Sequence, residues 1–172
     1  DQDGAGEGER SFLPGRNLVL QEDFAWDYAV TVEGWESGVY VPGEEGPERV
    51  APAGQISVLA DPGQSKVTIR VPSSILGENP GGWNYAAMAL GQEGFPAGGV
   101  MRVRDVEPSA SQWRFGGAPG DTTNHTRVID YVWPEEGSQE AWLSDFEPVA
   151  RPQGELAAED FARVPMLSIS NP

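Results

Sequence analysis

A single histidine, His125, and no cysteine stand in a chain of 172 residues. One histidine excludes histidine-cluster metal sites, and the lack of thiols removes disulfides and thiolate metal centres. A Ser-His-Asp arrangement needs an activated serine. No Gly-x-Ser-x-Gly elbow occurs, and His125 lies in the polar stretch "GDTTNHT". A surface loop histidine is the expectation. Carboxylate pairs such as Glu135/Glu136 and Asp121/Asp130 have the composition of a glycosidase dyad. With 27 acidic residues such pairs arise by chance, and they read as solvated charge. The chain is therefore expected not to be an enzyme.

Six tryptophans offer a different chemistry. A sugar binds by laying its C–H face on an aromatic ring while polar side chains read its hydroxyls. Trp83-Asn84-Tyr85, Trp113-Arg114 and Trp133 with Glu135 have that mixture. Trp113 or Trp133 is the expected stacking face, with Trp83 and Tyr85 as the second choice and Arg114, Asp121 and Asn124 as hydroxyl readers. The competing assignment is core packing, expected for half or more of the six and for Trp26, Trp35 and Trp142 in particular. At the N-terminus "DQDGAGEGE" spaces acidic residues on a glycine-rich stretch, which makes Asp1 and Asp3 candidate calcium ligands. The order of an EF-hand loop is not met, and a solvated linker accounts for the same residues. "NHT" at 124–126 is a glycosylation sequon, which demands an exposed loop if it is used.

These residues need a scaffold, and composition says which kind. Twenty-two glycines and 15 prolines alternate with short apolar runs, the pattern of a turn-rich all-β domain. The net charge of −16 repels phosphate backbones and argues against nucleic-acid binding. No stretch approaches the roughly 20 apolar residues of a membrane span. "QISVLA" and "KVTIRV" flank "DPGQS", a hairpin in which Val67, Ile69 and Val71 form one face of a half-buried strand. "WNYAAMALGQ", "GVMRVRDVEP" and "TRVIDYVWP" read as further strands, "PSSIL" as at most one helical turn, and "PMLSI" as a closing strand. "GSQEAWLSDF" is the best helix, with Trp142 and Phe146 on one face, and "AAEDFARV" is a last amphipathic turn. The predicted architecture is a β-sandwich of six to eight short strands in immunoglobulin-like or jelly-roll-like layers with one or two short helices. Residues 1–11 are read as a linker or loop and 12–172 as one domain. "WRFGGAPGDTTNHT" is expected to cross one end of the sandwich with Asp121, Asn124 and His125 exposed.

The blocks "LPGRN…FAWDYAVTVEGW", "VPSSILG", "WNYAAMALGQEGF", "WRFGG", "RVIDYVWPEEGSQEAWLSDF" and "VPML" together resemble the C-terminal binding modules of glucodextranases, shared with pullulanase-type and cell-surface proteins. That family is similar to family-9 carbohydrate-binding modules and DOMON domains. The resemblance implies a noncatalytic, extracellular carbohydrate-binding or cell-envelope-attachment module, whose partner is a polysaccharide or envelope glycan. It also implies further strands ahead of "LPGRN". Without them the first sheet edge would be open and would pair with an upstream segment or another copy of the chain. Two other readings stay open. One is a structural cell-surface subunit, S-layer-like or filamentous, that assembles through sheet edges in a calcium-rich exterior. The other is a haem carrier of the DOMON kind, with axial ligands drawn from Met88, Met101, Met166, His125 or Lys66.

Overall fold

The computed structural model describes residues 8–34, 37–77, 82–93, 102–135 and 138–168. The "LPGRN" block opens it with a tight turn, in which Gly15 (φ 87°) and Asn17 (φ 53°) take left-handed backbone conformations. Asparagine is among the few side chains that accept this region readily. The turn feeds β1 (Leu18–Leu20), all three of whose residues are buried. An antiparallel sheet follows, built from β2 (Ala29–Thr31), β3 (Gly38–Val41) and β4 (Glu48–Pro52) in the order β2-β3-β4. Then comes the hairpin of β5 (Ser57–Asp61) and β6 (Lys66–Arg70). Its turn is fixed as its residues require: Asp61 Oδ1 accepts the Gln64 N–H at 3.2 Å, and Ser65 closes at φ 50°.

After the single turn α1 (Ser73–Leu76) the chain lays down β7 (Asn84–Tyr85), β8 (Met88–Leu90), β9 (Val106–Glu107), β10 (Phe115–Gly116) and β11 (Val128–Tyr131). Helix α2 (Ser138–Leu143), β12 (Ala162–Val164) and β13 (Leu167–Ser168) complete it. β8 pairs with β11 and β7 with β13, both antiparallel, while β1 runs parallel to β12. The fold is all-β of the sandwich type, and the single turn at "PSSIL" and the helix at 138–143 stand where the sequence places them.

One apolar core ties these pieces together. Leu18 and Leu20 from β1 meet Val164 from β12, and Trp26, Tyr40 and Tyr131 fill the space between them. Fully burying a side chain of this size contributes about 1.5–3 kcal/mol each. The polar tips are satisfied on the backbone. Trp26 Nε1–H donates to Ser11 O at 2.8 Å, and the Tyr131 hydroxyl donates to Pro165 O. Burial pushes the Tyr131 phenol well above the usual tyrosine range.

Between the strands, long stretches of irregular chain are held by buried asparagines. Asn17 Nδ2 donates to His125 O at 2.9 Å and to Thr123 O at 3.2 Å, and its Oδ1 accepts from Gln153 Nε2 at 2.9 Å. Asn124 is fully buried. Its Nδ2 donates to Glu147 O at 2.8 Å and Asp160 O at 2.5 Å, and its Oδ1 accepts the Val149 N–H at 3.0 Å. Each amide does for three chain segments what a strand ladder would do elsewhere.

Several expectations are corrected. The structure has thirteen short strands among the described residues, because runs that read as single strands break into pairs such as β7 and β8. Helix α2 ends at Leu143, so Phe146 packs on the core from beyond the helix. "AAEDFARV" splits into a 3₁₀ turn at Ala158–Asp160 and the strand β12. β1 is not an open edge: on the side away from β12 the Leu20 N–H donates to Arg10 O at 2.8 Å and the Phe12 N–H to Leu18 O at 3.3 Å. The alternation in β6 is present, but its apolar face is not half-buried, since Val67 is 60% and Ile69 45% exposed. Asn124 and His125 are interior instead of exposed, because their loop is drawn inward by the bonds above.

Candidate functional site

A cleft of about 720 Å³ opens between β2 and the β7–β8 segment, within the 300–1,000 Å³ typical of ligand sites. Trp83 and Tyr85 line it, their ring centroids 6.4 Å apart and their planes tilted by 38°. Both are half-buried, so each ring keeps a solvent-facing part. They are held by the β7–β13 pairing, in which Leu167 lies opposite Tyr85 and Ser168 Oγ–H donates to Asn84 Oδ1. Val30 and Val32, each 38% exposed, also line the cleft.

The polar groups come from other elements. Arg16, from the "LPGRN" turn, is buried and anchors one guanidinium N–H on Pro14 O at 2.7 Å. Burial lowers its pKa to about 10, against the opposing pull of Glu33 and Tyr40, so it remains cationic at neutral pH. Glu33 lines the same cleft. Gln92 accepts the Gly34 N–H through Oε1 at 3.3 Å, while its Nε2 is buried with no hydrogen-bond partner among the described residues. The floor beneath Gln92 is shaped by close packing. A Cβ at Gly91 would come within 2.2 Å of Phe115 Cε2, and the Arg104 guanidinium sits 5.2 Å from the Phe115 ring centre.

This arrangement can bind a ring with an apolar face and polar edges. Glu33 is the only carboxylate among the described lining residues, whereas a glycosidase uses a pair. His125 offers no alternative. Its Nδ1 faces Thr122 O at 3.0 Å, which fixes the proton there, and its Nε2 faces Asp105 at 3.5 Å. The ring is buried, and its Nε2 is left without a hydrogen-bond partner among the described residues. Arg127 Nε also contacts Asp105, at 2.9 Å, as an ion pair without hydrogen-bond alignment. Met166 is part of the core and Met88 packs against it, so packing explains both methionines.

Of the sugar-binding residues that sequence reasoning put forward, Trp83 and Tyr85 come together in the cleft with Asn84 between them, and the methionines Met88 and Met166 line it as well. Trp113 stands 58% exposed on the tight turn that the Ser111 N–H closes onto Arg114 O at 3.1 Å. Beside it Arg114 is committed to Glu93 at 2.7 Å and lies 3.7 Å from Glu107, and the hydrogen bond to Glu93 chiefly raises its pKa. Asp121 is exposed at φ 60°. Trp133 is partly buried outside the cleft and packs edge-to-face on Trp142, with centroids 6.1 Å apart. Asn124 is corrected from hydroxyl reader to structural bracket, both of its amide protons being used within the chain. The same bonds seal the sequon, since a glycan would have to replace one of those protons. Asp1, Asp3, Trp35 and Met101 lie outside the described residues.

Arg16, Glu33 and Gln92 were missed because they lie far apart in sequence, and Trp35 beside Glu33 was assigned to the core. The one available signal was the arginine of "LPGRN", a cation inside an otherwise apolar block.

Comparison with known families gives one match: the family described as the C-terminal, SLH-like binding module of glucodextranase covers residues 1–158. No curated protein and no solved structure matches the chain.

Proposed function

The chain belongs to this family of glucodextranase binding modules, and from that premise we propose that it is a noncatalytic module that holds polysaccharide in the β2/β7–β8 cleft at the cell exterior. Membership supports a binding role instead of a catalytic one, and no described helix is long and apolar enough to cross a membrane. The observation that carries the reading is the cleft, where the Trp83/Tyr85 pair stands beside Arg16, Glu33 and Gln92. Aromatic rings supply the stacking surface and the three polar side chains supply donors and acceptors for hydroxyls.

The test is calorimetric titration of the intact chain with dextran and with a linear α-glucan. Stacking on one aromatic ring is worth roughly 1–3 kcal/mol by analogy with base–aromatic contacts. Trp83→Ala should therefore weaken binding about tenfold or more, while Trp113→Ala, outside the cleft, leaves it unchanged. If Trp113→Ala abolishes binding and Trp83→Ala does not, the site is the exposed turn at 111–114. If the wild type binds neither glucan nor isolated envelope polysaccharide, the carbohydrate reading fails.

A further inference from the structure

The β5–β6 hairpin is built to bury a face that the fold leaves bare. Its register pairs Val58 with Ile69 and Ala60 with Val67, so these four aliphatic side chains share one side. Ser57, Leu59, Asp61, Lys66, Thr68 and Arg70 take the other, mostly polar side. Such alternation marks a strand pair with one face in a core. Yet Val58 is 41% exposed, Val67 60% and Ile69 45%, and the hairpin bonds to no third strand among the described residues.

The location of that face says what covers it. Ile69, from the hairpin, and Leu76, from α1, line the same cleft as Trp83 and Tyr85. Ile69 thus brings one end of the bare aliphatic face to the cleft that holds the aromatic pair. The net charge of −16 disfavours a polyanionic occupant at long range, while Arg16 and Arg102 beside Glu33 set the charge inside the cleft.

We propose that the hairpin is the second wall of the saccharide site, with Val58, Ala60, Val67 and Ile69 lying along the apolar C–H face of an uncharged pyranose chain whose other face stacks on Trp83 and Tyr85. The inference rests on the cleft being a carbohydrate site. It adds to that reading a two-sided grip and a preference for neutral polymers. A pyranose presents two C–H faces, and a site that desolvates both holds its ligand more tightly than a one-sided platform.

The experiment compares dextran with carboxymethyl-dextran on the wild type, Trp83→Ala, the pair Val67→Thr and Ile69→Thr, and Leu59→Thr. Threonine keeps the β-branched shape, so the hairpin persists, and unchanged thermal melting verifies that. The Val67/Ile69 pair should bind dextran at least tenfold more weakly with a faster off-rate, whereas Leu59→Thr, on the other face, binds as the wild type does. The carboxymethylated polymer should bind more weakly than dextran at low salt. If Trp83→Ala loses binding and the Val67/Ile69 pair does not, the hairpin is no part of the site although the cleft is. Tighter binding of the charged polymer overturns the preference for neutral chains. A wild type that binds neither polymer overturns both the cleft and the hairpin. A wild-type dimer by sedimentation that the Val67/Ile69 pair dissociates assigns the face to a second copy instead.

Discussion

Asn124→Ala is the most informative single perturbation of the scaffold. The side chain is fully buried and satisfies three backbone groups on two otherwise irregular segments: the carbonyls of Glu147 and Asp160 and the N–H of Val149. Alanine removes all three bonds and leaves the three groups without a partner. An unsatisfied buried polar group costs about 1–3 kcal/mol, and partial relaxation of the segments reduces the sum below full additivity. A net loss of about 3–5 kcal/mol is expected. Against a total of roughly 5–15 kcal/mol for an ordinary domain, the variant folds but only marginally. For a chain of this length that loss lowers Tm by roughly 6–20 °C. The assay is equilibrium urea unfolding followed by tryptophan fluorescence, with Asp121→Ala, three residues away and exposed, as the comparison. Asp121→Ala should stay within about 0.5 kcal/mol of wild type. A loss under about 1 kcal/mol for Asn124→Ala would refute the bracket role and imply that the 144–161 segment is held by something else.

Gly91→Ala should cost about 1–3 kcal/mol, because its Cβ would fall 2.2 Å from Phe115 Cε2, and Phe115→Leu in the same chain should recover part of the loss in the same unfolding assay. Tyr131→Phe should lose about 1–3 kcal/mol at neutral pH by stranding Pro165 O. The folded phenol titrates above the unfolded one, so the wild type keeps the full Tyr131 contribution below about pH 10 and loses it as pH rises from there toward the folded value. Denaturant midpoints from pH 7 to 11 should therefore fall more steeply for the wild type than for Tyr131→Phe; parallel curves would sink the argument. Incubating the isolated chain with α-glucans should release no reducing ends, and turnover abolished by Glu33→Gln would reverse the noncatalytic reading.

What could be read from sequence was what local chemistry decides. Asp61-Pro62-Gly63 names its own turn, and the alternation around Val67 names a strand, and both are there. Trp26 on an apolar run was placed in the core and lies there. What failed depended on distant partners. Asn124 sits among glycine, proline and threonine, the composition of an exposed loop, and only the carbonyls of Glu147 and Asp160 make it interior. Trp133, beside Pro134, looked like a strand end at the surface until Trp142 came to meet it. The site shows the same division. Its aromatic half, Trp83 and Tyr85, was visible because it is contiguous. Its polar half is assembled from residues 16, 33 and 92 by folding alone.

The parallel pairing of β1 with β12 has a consequence for how the chain comes to be folded. Leu18 is matched with Ala162 and Leu20 with Val164, so the innermost strand waits for a partner from nearly the other end of the sequence. At roughly 5–20 residues per second, a growing chain carries Leu18–Leu20 without their β12 partner for about 7–30 s before that segment is even made. Contacts of such long range also slow the search once synthesis ends. Until then the nascent polypeptide is an open thread that a translocating pore or a chaperone can still handle. The same geometry warns against trimming. The family match stops at residue 158, and a chain cut there would leave out β12 and β13, and with them the Val164 and Met166 side chains that close the core.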